Sequence, residues 1–438
     1  MPRRASKPDP IDIIVDVNRG RDLHLMRRKF DAMAADAFVF LRATAALCHR
    51  ALDLDALPPS PLGWVCGDLH LQNFGCFRGG NRLVYFDLND FDEAARLPVA
   101  VDLMRFLTSI FTAAPGLGLE RAVAHEGAQH ALGCYAAALS RGKPFWLERE
   151  TAGGAVRRLL LQVSMRRRLT LLAQRTQLKG RRRRVAIDGR RYLALPPDPV
   201  LHEALEGGLA ALAERFGDGR FFRPRDFAFR VAGMGSLGVQ RYVALVRGNG
   251  DPDRNALIDF KYAARSSAAD AFPSIAQPRW PSEAARVVIV QDLCQAASPA
   301  FLTALPMAGA SFVARELQPV EDKMALPHLA RRTRRLGDAL GEMARLAAYA
   351  QLRSAGRMGA TGADALIEFG DELRARPRPW LDAARAVDAA NRAAFSAFRA
   401  AWRKRDARLI ALCEPAEAPA AKAAPRRSAR KTARKASR

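Results

Sequence analysis

Apolar residues recur at near-helical spacing between residues 22 and 52, which predicts a helix with a break near Asp36. The apolar positions concerned are Leu25, Phe30, Met33, Phe38, Leu41, Ala45 and Leu47. Further helices are predicted over residues 98–113, 119–141, 151–176 and, with interruptions, 327–413.

Short apolar runs predict strands in two parts of the chain. Residues 63–66 and 82–86 flank a turn at Gly79-Gly80-Asn81, and residues 227–246 and 256–263 flank a second glycine-containing turn at 248–251. Helices therefore precede and follow a block of strands, which predicts an α+β protein.

These changes of pattern divide the chain into five segments. A chain of 438 residues is longer than one hydrophobic core usually serves, so we expect more than one packed unit. The predicted segments are a flexible N-terminus over 1–20, a helix-rich part over 21–218, an antiparallel sheet over 219–326, a second helical part over 327–413 that packs on the first, and a disordered basic tail over 414–438.

Composition narrows the class of protein. Close to half of the residues are hydrophobic, as in ordinary globular proteins. No apolar run reaches the roughly 18 residues that span a bilayer, and the N-terminus lacks the apolar segment of a secretory signal. No pair of the six cysteines has C-x-x-C spacing, so neither a zinc ribbon nor a disulfide scaffold is indicated. We expect a cytoplasmic protein with no membrane role.

The formal net charge of +25 is concentrated in two places. Residues 414–438 contain eight Lys or Arg and two Glu, and residues 157–191 include the arginine runs 166–168 and 181–184. Such segments attract phosphates, nucleic acids or anionic lipid head groups, although a solvated basic face is an equally simple interpretation. We expect weak, non-specific contact between the tail and nucleic acid or another polyanion.

The segment Cys66-Gly-Asp-Leu-His-Leu-Gln-Asn-Phe-Gly75 carries the strongest chemical signal. Asp68 and Asn73 have the spacing of a kinase-type catalytic loop, in which the Asp accepts the proton of the attacking hydroxyl and the Asn binds a divalent ion. His70 lies between them. The segment therefore predicts Asp68 and His70 as catalytic residues and Asn73 as a metal ligand.

A second acidic segment, Tyr85-Phe-Asp-Leu-Asn-Asp-Phe-Asp-Glu93, follows the next predicted strand. Mg²⁺ is usually bound by one or two carboxylates together with the phosphates of a nucleotide, and both Asp87 and Asp90 are suitable ligands. The spacing does not choose between them. Two alternatives stay open: a Zn²⁺ or Mn²⁺ hydrolase using Asp68, His70 and these acids, or an acidic surface loop.

Gly233-Met-Gly-Ser-Leu-Gly238 has the pattern G-x-G-x-x-G after a predicted strand. If a second strand follows, the glycines and Ser236 would cover phosphates as in kinases, and Lys261 on the next strand would bind them. In a dinucleotide-binding fold a helix would follow instead, with Asp259 as the acidic residue. An ordinary glycine turn is the third interpretation. Glu283 is a candidate ion-pair partner for Lys261.

Over residues 20–412 the chain resembles the uncharacterised bacterial domain of unknown function 2252 family. The resemblance rests on Cys66 to Gly75 and Phe86 to Glu93 with Pro98 and Asp102, and also on Arg27 to Phe30, Phe38 to Arg42, Gly233 to Gly238, Lys261 to Ala263 and Phe312 to Leu317. That family is similar to protein-kinase-like folds such as aminoglycoside and choline kinases. The resemblance implies a two-lobed nucleotide site with a helix-rich C-lobe and a smaller antiparallel-sheet lobe, but no particular acceptor.

The chain departs from this pattern in two respects. The glycine-rich segment follows the catalytic loop in sequence, which is the reverse of ordinary kinases. Either the fold is circularly permuted or one of the two motifs is misinterpreted. A late helix in which the family often has Ala-His-Ala-Arg reads Ala350-Gln-Leu-Arg353 here.

The sequence thus predicts a phosphotransferase that uses ATP and Mg²⁺ and acts on an unknown acceptor. Asp68 and His70 are the predicted catalytic residues. Asn73 with Asp87 or Asp90 would bind metal, and Gly233, Gly235, Ser236, Gly238 and Lys261 would bind the nucleotide. The alternatives are a nucleotide-binding pseudokinase or regulator, a nucleotidyltransferase, and a nucleic-acid-associated basic protein.

Overall fold

The computed structural model describes residues 9–414 and has the mixed α+β fold that the sequence predicts. The helices are α1 (Pro10–Asn18), α2 (Leu23–Ala35), α3 (Ala37–Ala43), α4 (Ala45–Ala51), α5 (Ala100–Ala113), α6 (Arg121–Ser140), α7 (Gly154–Ser164), α8 (Arg168–Arg175), α9 (Pro199–Phe216), α10 (Ser267–Ala271), α11 (Glu283–Cys294), α12 (Leu326–Ala330), α13 (Thr333–Ser354), α14 (Ala363–Ala375), α15 (Arg378–Arg403) and α16 (Ala407–Ile410). The strands are β1 (Leu62–Val65), β2 (Phe74–Arg78), β3 (Val84–Leu88), β4 (Ala95–Pro98), β5 (Leu147–Glu148), β6 (Thr176–Lys179), β7 (Arg182–Val185), β8 (Tyr192–Leu193), β9 (Pro224–Arg230), β10 (Arg241–Val246), β11 (Ala256–Tyr262), β12 (Thr303–Met307) and β13 (Ala310–Leu317).

The N-terminal segment is structured from residue 10 onwards. Asp9 caps α1 by accepting a hydrogen bond from the Ile11 N–H at 2.9 Å, and the buried isoleucines of α1 pack with α15 and α16. The expectation of a flexible segment over 1–20 is therefore wrong for residues 10–18, because that expectation weighed the prolines above the apolar run. The predicted disordered tail, apart from Glu414, lies outside the described residues.

The predicted helix over residues 22–52 is three short helices. The break at Asp36 is confirmed, since its carboxylate accepts a hydrogen bond from the Val39 N–H at 2.7 Å and so caps α3. A further break occurs at Thr44, whose hydroxyl donates to the Phe40 carbonyl at 2.7 Å. Short polar side chains compete with helical hydrogen bonding in this way, and they separate the helices here.

Two small antiparallel sheets lie next to the candidate catalytic segment. β1 pairs with β4, and β2 pairs with β3, which in turn pairs with β5. The predicted turn over residues 79–81 is confirmed as the connection between β2 and β3. Helix α5 is buried along its whole length beneath these sheets, and it packs on α6 and α15.

The larger sheet is antiparallel and six-stranded, with the order β12-β13-β11-β10-β9-β8. The predicted strand over residues 227–246 is interrupted by the glycine-rich loop, which joins β9 to β10. Leu205 and Leu209 of α9 pack on one face of this sheet, whereas Leu171 and Leu172 of α8 pack on the other.

A buried charge lies inside the larger sheet. Asp259 is 1% exposed, and its carboxylate lies 2.6 Å from Arg230 and 2.5 Å from Arg241. Burial raises the pKa of Asp259, but the two guanidinium groups outweigh burial and lower it below its usual range. Asp259 is therefore neutralised by residues of the sheet itself.

After β13 the chain returns to helices, as predicted. Helix α13 packs on α6, α7 and α11, and its buried residues join the largest hydrophobic core together with α5 and β1 to β4. Within residues 9–414, the helices are all too short or too polar to cross a lipid bilayer.

Candidate functional site

The predicted catalytic loop begins where β1 ends, and its first turn is held by α5. The Asp102 carboxylate accepts hydrogen bonds from the backbone N–H groups of Cys66 at 2.8 Å and Gly67 at 3.0 Å. Gly67 has a φ of 80°, and a Cβ atom there would overlap the Glu93 carbonyl. The turn therefore requires glycine, because only glycine combines this backbone conformation with so close an approach.

Asp68 projects from this loop and pairs with a buried arginine. Arg105 donates to Asp68 Oδ1 from Nε at 2.9 Å and from Nη2 at 2.7 Å, and Nη2 also donates to the Leu41 carbonyl at 2.6 Å. Burial raises the pKa of Asp68, and the charge of Arg105 partly offsets this. Among the described residues Asp68 Oδ2 accepts no hydrogen bond, so one carboxylate oxygen is available to a ligand.

Asn73 connects the catalytic loop to the acidic segment. Its amide Nδ2 donates to the Asp68 carbonyl at 3.1 Å and to the Asp90 carbonyl at 3.0 Å. Its Oδ1 is buried and has no hydrogen-bond partner in the described part of the chain. A buried polar atom without a partner is costly, and an amide oxygen in this state suits a divalent cation.

The structure separates the two candidate metal-binding carboxylates. Asp87 is 1% exposed and accepts hydrogen bonds from Arg353 Nη2 at 3.1 Å and from the Ala296 N–H at 3.2 Å. The Asp90 side chain is 54% exposed. Asp87 is thus buried in an ion pair with Arg353, whereas Asp90 is the more exposed carboxylate and lies beside Asn73.

His70 is buried beside Asp68 and against the ring of Phe38. The Gln72 backbone N–H donates to His70 Nδ1 at 3.1 Å, which places the ring proton on Nε2, 3.8 Å from Asp68 Oδ2. Burial, and then the nearby charge of Arg42, holds the pKa of His70 well below its usual value. The low pKa favours the neutral imidazole near neutral pH, with its Nε2 proton on the side of the ring that faces Asp68.

The glycine-rich loop, residues 231–240, is a connection between two antiparallel strands. Gly233 and Gly238 have φ values of 78° and 84°, so two of the predicted glycines are required by the backbone. The strand β10 follows this loop in place of the helix that a dinucleotide-binding fold needs. The dinucleotide interpretation, with Asp259 on the ribose, is therefore not supported.

Residues within α2 and immediately before it bind the backbone carbonyl groups of this loop. Arg21 Nη1 and Lys29 Nζ both donate to the Gly235 carbonyl, at 2.6 and 2.9 Å, and the Asp22 N–H donates to the Gly238 carbonyl at 3.0 Å. Lys29 is fully buried, and burial holds its pKa well below the usual value. The loop is thus fixed by groups far away in sequence.

Lys261 on β11 reaches the acidic segment. Its Nζ lies 3.2 Å from Asp90 Oδ1 and also contacts the Asp92 carboxylate. The expected partner of Lys261, Glu283, instead pairs with Arg286 at 2.7 Å. Glu283, only one candidate partner for Lys261, is thus paired elsewhere, because it occupies the first turn of α11 next to an arginine of the same helix.

The pKa values of Asp90 and Asp92 are shifted in opposite directions. Loss of surrounding water in the cleft between the two cavities raises the pKa of Asp90, but the charges of Lys261, Lys323 and Arg315 outweigh this effect and lower the pKa below its usual range. Burial and the negative charge of Asp90 raise the pKa of Asp92 to about 6. Asp90 is therefore the permanently anionic member of the pair.

Two cavities meet at this cluster, and together they contain most of the predicted site residues. The first cavity, of about 810 Å³, is lined by Asn73, Asp90, Gly233, Ser236 and Lys261 among others. The second cavity, of about 410 Å³, is lined by Asp68, His70, Asn73, Asp90, Gly233, Gly235 and Ser236 among others. Asp87 and Gly238 line neither cavity. The two sequence motifs are thus brought together, with Asn73 and Asp90 between the cavities.

The donor set is suitable for a magnesium–nucleotide complex but poor for a zinc hydrolase. Residues 9–414 contain no group of three or more His, Cys, Asp or Glu side chains arranged to hold a metal ion. Zn²⁺ sites in proteins use three or four such ligands, whereas Mg²⁺ is satisfied by one or two protein oxygens and the phosphates of its nucleotide. Asn73 Oδ1 and Asp90 match the second description.

Several residues that hold the site could not be recognised from the sequence. Arg105 binds Asp68, Lys323 lines both cavities, and Arg353 neutralises Asp87. Arg353 belongs to the 350–353 segment, and Gln351 of the same segment accepts a hydrogen bond from the buried Tyr135. This segment therefore supports the core beneath the acidic loop.

Gly67→Ala should lower the free energy of unfolding by about 3 kcal/mol or more, because a Cβ atom would overlap the Glu93 backbone and the φ angle is unfavourable for alanine. Urea denaturation of the purified variants measures the effect. Gly80→Ala is the matched control, since a Cβ there meets open space and should change stability by less than about 1 kcal/mol. Equal effects at the two positions would contradict the geometry described for Gly67.

Burial raises the pKa of Asp102 to about 7, although the N–H groups of Cys66 and Gly67 oppose this. The pKa of Asp102 is higher in the folded than in the unfolded protein, so the folded protein binds the carboxyl proton more tightly. This contribution to stability is lost as the pH rises from about 4 to 7. The free energy of unfolding of the wild type, relative to that of Asp102→Asn, should therefore fall over this pH range, by at most roughly 1.4 kcal/mol per pH unit. Urea midpoints at pH 4.5 and 7.5 measure the difference; a pH-independent difference would refute the assignment.

Comparison with known proteins identifies a family for this fold. No curated protein and no solved structure matches the chain. Residues 21–401 match the family described as uncharacterized protein conserved in bacteria (DUF2252), which covers most of the chain and includes both loops of the site. The chain therefore belongs to the DUF2252 family of bacterial proteins.

Proposed function

We propose that this protein binds ATP with Mg²⁺ and transfers its γ-phosphoryl group to an acceptor hydroxyl. The observation that carries the proposal is the state of the Asn73 amide. Its NH₂ group is used by the Asp68 and Asp90 carbonyls, which leaves a buried Oδ1 without a partner beside the exposed Asp90 carboxylate. A kinase catalytic loop needs the same arrangement of base, amide ligand and acidic ligand.

The order of elements in the larger sheet supports the proposal. The glycine-rich loop joins the strands β9 and β10, Lys261 lies on the next strand β11, and α11 follows before β12. Protein kinases place a glycine-rich loop, a strand lysine and a helix in this order in their smaller lobe. We therefore propose a kinase-like, circularly permuted fold in which residues 219–326 form the smaller lobe.

The residues then have distinct roles. Asn73 Oδ1 and Asp90 would hold Mg²⁺, which neutralises charge on the nucleotide phosphates, and Lys261 would exchange its present carboxylate partners for those phosphates. The acceptor oxygen would form a bond to the γ-phosphorus as the bond from that phosphorus to the bridging oxygen of ADP breaks. The hydroxyl proton would pass to Asp68, whose Oδ2 is available and whose Oδ1 is held by Arg105. A cytoplasmic location would supply both ATP and Mg²⁺.

Two related functions use the same residues. A pseudokinase would bind Mg²⁺ and ATP without forming product, and a nucleotidyltransferase would transfer AMP and release pyrophosphate. The product of the reaction, rather than the binding of ATP, distinguishes these functions from phosphoryl transfer.

Asp90→Asn should weaken Mg²⁺-dependent ATP binding by about tenfold or more, because it removes the only permanently anionic ligand proposed for the metal. Isothermal titration calorimetry of the full chain with ATP, in Mg²⁺ and in EDTA, measures the affinity. Asp371→Asn, at an exposed position on α14, is the matched control and should bind as the wild type does. Failure of the wild-type protein to bind ATP in Mg²⁺ would refute the proposed function.

Asp68→Asn should reduce turnover of ATP by roughly 10² to 10⁴ while ATP binding is retained, since general-base assistance is lost and the metal ligands are not. Turnover is followed with γ-labelled and α-labelled ATP, so that ADP, AMP and pyrophosphate are separated. Normal turnover by the variant would remove Asp68 from the proton transfer. Pyrophosphate as the product would indicate nucleotidyl transfer instead.

A further inference from the structure

The second cavity contains Asp68, so under the proposed function the acceptor must bind there. The cavity lies beside the catalytic loop and is bounded by the N-terminal helices, the glycine-rich loop and the segment after β11. Its volume of about 410 Å³ is suitable for a small molecule. The charges on its walls indicate what kind of molecule it can bind.

The acidic side chains of this cavity already have partners. Asp68 is bound by Arg105, and Asp90 and Asp92 are bound by Lys261. The remaining acids and their partners are Asp16 with Arg19, Asp270 with Arg265, and Glu93 with the N–H groups of Ser267 and Ala268. A cationic ligand would therefore have to displace an existing partner of one of these acids.

Two arginines of the same cavity have neither an acidic partner nor a hydrogen-bond acceptor among the described residues. Within residues 9–414, Arg42 and Arg50 form no ion pair and donate no hydrogen bond, and Arg42 Nε is buried without an acceptor. The Arg42 guanidinium lies 5.8 Å from the ring centre of Phe38, which fixes its position but does not neutralise it. A partly buried cation without a counter-ion is unfavourable, and an anionic ligand would remove that cost.

Lys323 adds a third positive group between the two cavities. Its Nζ donates to the Gln72 carbonyl of the catalytic loop at 2.6 Å, and it forms no ion pair with the described residues. Burial and the neighbouring charge of Arg42 lower the pKa of Lys323 to about 8. The mutual repulsion of Lys323 and Arg42 would be relieved by an anion bound between them and Asp68.

We infer that the second cavity is the site of an anionic acceptor, a small hydroxyl compound that carries a carboxylate or phosphate group, and that Arg42 binds this group. The role of acceptor rests on the proposed function, whereas the anion site stands on the geometry alone.

Binding of simple anions to the full chain tests the inference without nucleotide. Isothermal titration calorimetry with inorganic phosphate and with succinate determines which anionic group is preferred, and glycerol and choline serve as neutral and cationic probes. At least one anion should bind more tightly than glycerol and choline. Arg42→Gln should weaken its binding by about tenfold, as expected for one charge-assisted hydrogen bond.

Three further variants locate the binding site. Arg175→Gln alters only the first cavity, and Arg374→Gln alters an exposed position outside both; neither should change anion affinity by more than about twofold. Arg42→Lys should recover part of the affinity, which loss of folding in Arg42→Gln would not explain. Loss of affinity in Arg175→Gln but not in Arg42→Gln, or tighter binding of choline than of either anion, would overturn the inference.

The two proposals can fail separately. If the anion binds through Arg42 but ATP with Mg²⁺ does not bind, the proposed function is refuted and the anion site is retained. If ATP binds but anion affinity is the same in Arg42→Gln and the wild type, the anionic acceptor is refuted and the nucleotide site is retained.

Discussion

The two hydrogen bonds donated by the Asn73 amide determine the geometry of the site. They join the backbone of Asp68 to the backbone of Asp90. These two residues belong to loops that follow strands of different small sheets. Because both N–H groups are used, the amide orientation is fixed and Oδ1 is directed away from both carbonyls. An aspartate at this position would offer no donor, and the two loops would lose their connection.

Buried arginines likewise hold separate parts of the chain together throughout the site. Arg105 holds the Asp68 side chain, and Arg286 donates to the carbonyls of Asp92 and Ala94, at 2.8 and 2.6 Å. Even within the basic segment 157–191, the ion pairs formed by Arg166, Arg168 and Arg183 reach Asp322, Glu316 and Asp253, which belong to distant parts of the chain. Part of the positive charge that suggests a polyanion-binding surface is therefore structural. Arginine suits this use because its planar group binds several oxygens at once.

The sequence predicts those parts of the fold and site that depend on local chemistry. The break at Asp36, the turn at 79–81 and the strands on both sides of the glycine-rich loop follow from capping, glycine content and apolar runs. The spacing of Asp68 and Asn73 likewise indicates the loop they share. The different environments of Asp87 and Asp90 could not be predicted, because Asp87 is paired with Arg353, which is 266 residues away and has no local signal. The prediction of a flexible N-terminal segment fails over residues 10–18 because prolines suggest a loop there, although Pro10 is at the first position of α1.

The attachment of the glycine-rich loop to the N-terminal helices has a thermodynamic consequence. Ordering a flexible loop around a ligand normally reduces affinity, since its conformational entropy is lost at the moment of binding. Here Arg21, Lys29 and the Asp22 backbone hold the loop before any ligand arrives. The entropy is lost during folding instead. For the proposed nucleotide, the stability of α2 and the affinity of the site would therefore be thermodynamically linked, and a change that loosens this helix would weaken binding without touching the ligand.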